Sequence, residues 1–506
     1  MKKSSFVFVT LLLALLLLGL NAFGQKHDYI WVYGYDNLPN DPLTSQFGGA
    51  YINFNEQPPR SNSINRKLNF AATAGSMCDS SGQLLFYTNG IAIHTADDKL
   101  MAKGDSINYD STIWEASKKR GYTEGIGPLI VPNPRNNNEY YMFHVAWVFE
   151  YDSSYVRRRT LYYSRINMSA NNGEGEVVEK NKVLVEGDLG WPAMCKHGNG
   201  RDWWLVIFQK SRPQLISFLL TPEGVSNPIV QDIALGSGFP THETAAKSVF
   251  SPDGRYYIRH DNFNGLRIFD FNRCSGTFSN QRIVQYLDGR YTWSAAFSED
   301  SHFLYLSNQR IFYYIDMYNI NNIQVMDTVG VFNRSYCDYP FNTTVFMTQE
   351  GPDGKIYGCG NPGSSLCMST IEKPMLPAPA NEVAYGGFEL SRWNRSTICH
   401  FPHYRLGEYE GSPCDTLNTQ KPDDGFYKSV YNASDEAEAQ KDPDSDYILI
   451  PIGNTATPEA IEEKRRYGDM NRMMYERLME GEAAIRRPLT QDQLNANNNK
   501  DQHDEK

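Results

Sequence analysis

The chain has 506 residues, 41% hydrophobic and 21% charged, enough apolar material for one large domain or two ordinary ones. Its formal net charge of -11 argues against a broad nucleic-acid-binding surface, which needs clustered Lys and Arg to displace phosphate counterions. Aromatics reach 13%, with 32 Tyr, and suit strands better than a helical bundle.

Residues 1–24 read as a signal peptide. Lys2 and Lys3 precede an uncharged apolar run from Phe6 to Leu20, and Ala22-Phe23-Gly24 supplies a small–x–small cleavage site before Gln25. That run is shorter than the ~20 residues a bilayer span requires. No Cys stands directly after it at the cleavage position, which argues against a lipoprotein anchor. Export with cleavage places the mature chain in the periplasm, at the outer membrane or outside the cell. No second long apolar run occurs, so no transmembrane span is expected in the mature chain.

Residues 25–417 repeat one unit: a polar Asp/Asn/Gly turn, a short aromatic or β-branched strand, a second turn and another strand. Copies include "DSSGQLLFYTNGIAIHT" from Asp79, "SPDGRYYIRHDNFNGLRIFDF" from Ser251 and "SEDSHFLYLSNQRIFYYIDM" from Ser298. Turn positions Ser80, Asn136, Asn199, Asp253, Asp300 and Asp353 are spaced by 56, 63, 54, 47 and 53 residues. A strand-rich repeat of that length predicts an all-β fold, a six- or seven-bladed β-propeller. The reason is physical: a four-stranded blade cannot bury both faces alone, so blades stack and close on themselves. Asp suits the turn by capping backbone donors and Gly by accepting positive φ, so Asp253 and Asp353 read as turn residues rather than catalytic ones. The leading strand "YIWVYGY" either completes the last blade or begins a further one.

"SPDGRYY" and "GPDGKIY" resemble the Asp-Gly turns of Tol-type and WD40-like propellers. With "IVPNPRNNNEYYMF", "HGNGRDWWLV", "LRIFDFNRCSGTFSN" and "FPHYRLGEYEGSPCDTL", the run from Trp31 to Leu417 resembles a family of exported β-propeller proteins of Bacteroidota. The resemblance implies the propeller fold and export, in a family whose members mostly lack assigned activities and are often linked to type IX secretion. Many such relatives carry a C-terminal sorting domain, but no clear "YPNP" strand start follows Leu417 here.

Eight Cys lie beyond residue 24. An even number in an exported chain permits disulfides. Cys359 and Cys367 flank the turn-rich "GNPGSS" and are expected to face each other across a hairpin; Cys399 and Cys414 are expected to pin the end of the domain. The alternative is buried free thiols. No CxxC or HxxxH spacing occurs, so no metal site is expected.

No catalytic constellation emerges. GxSxG and GxxxxGK[ST] are absent, and no cofactor motif appears. Ligand-binding candidates sit in long loops between blade strands: Trp191, His197, Trp203 and Trp204 in "GDLGWPAMCKHGNGRDWW", and His242 and Glu243 in "GSGFPTHETAAK". Exposed aromatics beside polar groups stack on sugar rings or pack against a partner. Against that, Trp203 and Trp204 also suit a core strand, one ring facing each side.

From residue 418 the composition turns polar, giving an acidic linker at 418–456, a helix at 457–486 and a disordered tail at 487–506. Thr457 is the N-cap and Pro458 the first helical residue, and a Met-rich stripe suits either a solvated helix or a docking helix. The expected function is a secreted or envelope scaffold that binds a protein or glycan. The alternatives are a propeller-type polysaccharide hydrolase or lyase, and a subunit of an envelope secretion or motility complex docked through its C-terminal helix.

Overall fold

The computed structural model describes residues 25–417, apart from 36–47, 71, 110–113, 119, 123–126, 150–156, 210–211, 234–246, 262–264, 285–291, 293, 309–310, 323–325, 332–344, 361–364 and 395. The signal segment, the acidic linker and the 457–486 helix lie outside the described residues. All described residues belong to one compact unit.

Seven antiparallel sheets, each built from consecutive strands, form a seven-bladed β-propeller. Blades 1 and 2 (residues 30–64 and 75–95) have three strands each. Blades 3, 5, 6 and 7 (129–187, 249–284, 294–331 and 348–394) have four. In blade 4 (193–232), the strand Gln214–Thr221 pairs with both Gly224–Val225 and Ile229–Asp232. Ring closure lets strands bury both faces, and Trp203–Gln209 is buried at every position but the last.

The repeated turns fold as their residues dictate. In "SPDG", Ser251 Oγ donates to Asp253 Oδ1 (2.6 Å), which also accepts from Arg255 N (2.9 Å). Gly254 N donates to Ser251 O (2.8 Å) with φ at +72°, a conformation glycine adopts without strain. The copy at 298–302 repeats the pattern, with Ser298 Oγ and His302 N both donating to Asp300 Oδ1 (2.6 and 3.0 Å). In the last copy, Asp353 Oδ1 still accepts from Lys355 N (3.5 Å), its other oxygen accepts the Tyr357 hydroxyl (2.8 Å), and burial raises its pKa to about 6.

The leading strand does not complete the last blade but begins a blade of its own, away from the hub position. Lys26 N donates to Ser80 O (3.4 Å), and Asn55 Nδ2 donates to Gly82 O (2.9 Å). Strand Ile30–Gly34 therefore starts beside the 79–82 turn that ends strand Gly75–Cys78, so it runs away from that turn, as second strands do. The inner place of blade 1 is filled by residues 398–403 from the far end of the domain. Cys399 Sγ lies 3.6 Å from Val32 O and 3.5 Å from Ser76 Oγ, and the Phe401 ring is 5.9 Å from that of Trp31. The propeller closes by exchange: early residues supply the outer strands of a blade and late residues its inner edge.

Beyond that edge the chain becomes a strap over the Asp-Gly turns. Tyr404, wholly buried, donates to Ile130 O of blade 3 (2.6 Å), and Arg405 grips Asp28 with two bonds (2.8 and 2.7 Å). Tyr409 N donates to Gly198 O of blade 4 (2.7 Å), and a disulfide joins Cys414 to Cys274 of blade 5. Both expected disulfides are thereby corrected. Cys359 and Cys399 are buried free thiols, Cys414 pairs with Cys274 across 140 residues, and Cys367 is disulfide-bonded elsewhere. The short-range pairings fail because Cys399 faces the core as part of an inner edge, while Cys414 has run on to the surface.

Candidate functional site

Propeller ligands commonly meet the central channel, where the inner strands converge. Here the channel is lined by inner-strand residues of blades 3 to 7 and by His400, Phe401, Pro402 and His403 of the strap, around a cavity of about 50 Å³. A buried polar cluster surrounds it. Lys247 Nζ donates to Thr348 O (2.7 Å) and Gln349 Oε1 (3.2 Å), and burial draws its pKa down to about 7. Burial pushes the Glu350 carboxyl well up, and its Oε2 has no hydrogen-bond partner among the described residues. His403 Nδ1 stands 3.6 Å from that oxygen, with its pKa lowered to about 4 by burial first and then by Arg405. The space accommodates roughly three to five waters, given ~10–15 Å³ of such volume for each. A sugar or peptide does not fit.

The sequence-derived candidates separate. Trp191 is buried beneath the Arg159 guanidinium, 4.9 Å from the ring centroid. Trp203 and Trp204 are both buried and face opposite sides of their strand. Trp203 meets Tyr404 edge-on at 5.9 Å, whereas the Trp204 indole N–H donates to Arg273 O (2.8 Å). Half-buried His197 braces a turn, with Nδ1 accepting from Asn199 N (3.1 Å) and Nε2 donating to Cys274 O (3.1 Å). These indoles are core, not exposed platforms, because ring closure covers both faces of the strand. His242 and Glu243 lie outside the described residues.

Two features escaped sequence reasoning. Ser164 Oγ, His144 Nε2, His144 Nδ1 and Asn108 Oδ1 form a relay with steps of 3.0 and 2.7 Å. Its order resembles a nucleophile–base–orienter array, but Ser164 has no exposed surface and its Oγ also accepts Asn181 N (3.1 Å). This relay fastens the 105–108 loop to blade 3. The second feature is a groove of about 670 Å³ along the seam between blades 7 and 1, with Pro58, Pro59 and Arg60 on one side and Lys355, Phe388 and Glu389 on the other. Of these residues only Lys355 falls in a quoted motif, the turn "GPDGKIY", and the two sides are about three hundred positions apart. Among the described residues, no group of three His, Cys, Asp or Glu side chains is placed to hold a metal ion. No helix among them is long and apolar enough to cross a membrane.

Fold and hub together define a seven-bladed β-propeller whose channel is occupied by its own late residues. No family model matches the chain, and no curated protein matches it. Among solved structures, it is similar to a candidate 6-phosphogluconolactonase from Bacteroides uniformis, with 12% identity, a TM-score of 0.37, and coverage of 71% of this chain and 95% of that one. It is also similar to the β-propeller domain of Myceliophteria thermophila Cps50 (Swd1), at 12% identity, a TM-score of 0.36, and coverage of 62% and 87%. A second candidate 6-phosphogluconolactonase, from Bacteroides fragilis, shows 12% identity, a TM-score of 0.28, and coverage of 61% and 96%. Likeness at that level carries no functional argument; the strand order itself defines the fold.

Proposed function

We propose that this protein is an exported binding scaffold that recognises an envelope or extracellular protein or glycan on the outside of its blades. One observation carries the reading: among the described residues, the hub cavity that residues 400–403 help to line holds about 50 Å³, too little for a polymeric substrate. The disulfide from Cys274 to Cys414 fits an oxidising compartment. The test is a pull-down from the native envelope beside a reducing-sugar release assay on the same preparation. A stoichiometric partner or retained glycan without turnover is expected. Sustained release of reducing ends overturns the reading in favour of a hydrolase or lyase.

A further inference from the structure

We propose that the seam groove between blades 7 and 1 is a carbohydrate-binding site for a short, neutral glycan segment; this rests on the binding-scaffold reading and gives it a place. At about 670 Å³ the groove lies within the ~300–1,000 Å³ common for ligand pockets. Its floor has a fixed aromatic. The half-buried Phe388 ring meets Tyr357 edge-on at 5.3 Å, and Tyr357 is itself held by its bond to Asp353 (2.8 Å). A ring that loses no freedom on binding suits the apolar C–H face of a sugar.

The rims select by charge. Lys355 is neutralised by its ion pair with Glu372. Arg60 is exposed and held only loosely, 3.8 Å from Glu56, and Glu389 is exposed on the opposite side. Donors and acceptors of both signs thus face the groove without a net field, which disfavours anions, cations and nucleic acid and favours hydroxyls, which donate and accept at once. A peptide adding as a strand needs an open ladder edge. Here Ser391 N donates to Ser61 Oγ (2.8 Å) and Ser61 Oγ to Ser391 Oγ (2.9 Å), which ties the neighbouring strands to each other.

The test uses the mature full chain on an array of neutral and charged oligosaccharides, with calorimetry on every hit. Phe388→Ala, Arg60→Gln and Glu389→Gln are compared with Tyr409→Ala, an exposed aromatic outside the groove, and thermal melts confirm that each variant folds. Neutral glycans should bind, Phe388→Ala should weaken them by about tenfold or more, the two rim variants by a few-fold, and Tyr409→Ala not at all. Glycan binding indifferent to all three groove variants overturns the site while the scaffold reading stands. An array without hits overturns the site and leaves a protein as the scaffold's partner. Hits confined to charged glycans overturn the assignment to neutral ones.

Discussion

His144 and His260 are wholly buried, each near a hydroxyl side chain, and desolvation lowers both pKa values to about 3. A histidine held neutral contributes stability that is complete above its unfolded pKa, ~6.5. That contribution drains away as the pH falls from there towards 3. Melting temperature should therefore drop on acidification across this window, and the double variant His144→Gln/His260→Gln should flatten the slope; an unchanged slope would show that other groups dominate. Gly276 is a second point of control. It has φ +71°, and a Cβ there would lie 2.5 Å from the Trp204 ring, so Gly276→Ala should unfold in less denaturant than the wild type. The turns were readable at this scale: Ser251, Asp253 and Gly254 form a local bond pattern fixed by neighbours in the chain. The partners of Cys414 and Trp204 were not, since both lie about seventy or more positions away.

The strap is the element on which closure depends. It reaches blade 3 through Tyr404, the start of the domain through Arg405, and blade 5 through Cys414. Cys274→Ser/Cys414→Ser should cost about 2–5 kcal/mol, because the bond closes a long loop and restricts the unfolded chain. Urea unfolding checks this with reductant in both arms and in neither: the double variant should be less stable than the oxidised wild type, and the two should match once both are reduced, since reductant also opens the bond at Cys367. Arg405→Ala leaves Asp28 buried without the partner that holds it, and a loss of about 3–5 kcal/mol is expected in the same assay. In the sequence, "FPHYRLGEYEGSPCDTL" carried part of the propeller resemblance. Its place at the hub was hidden, because an inner edge bonded mainly through side chains lacks the alternating pattern of a paired strand.

At the scale of the molecule, seven stacked blades would unfold piecemeal if each leaned only on its neighbours. A strap that touches distant blades couples them, so a single cooperative transition is expected for the oxidised wild type. Combining Arg405→Ala with the two Cys→Ser changes should split that transition, seen as non-coincident fluorescence and circular-dichroism curves. Repeat spacing sufficed for the propeller because each blade is a local unit. The seam groove was invisible for the converse reason: Arg60 and Glu389 come together only once the ring shuts.

The exchange that completes blade 1 also sets an order of events during biosynthesis. Its first strands leave the ribosome early, yet Cys399, which lies against them, emerges 367 residues after Val32. Throughout translation the nascent polypeptide therefore has an unfinished centre and cannot lock into its final shape. A molecule that reaches its closed form only after its late residues arrive keeps the hub side of its first blade uncovered until then.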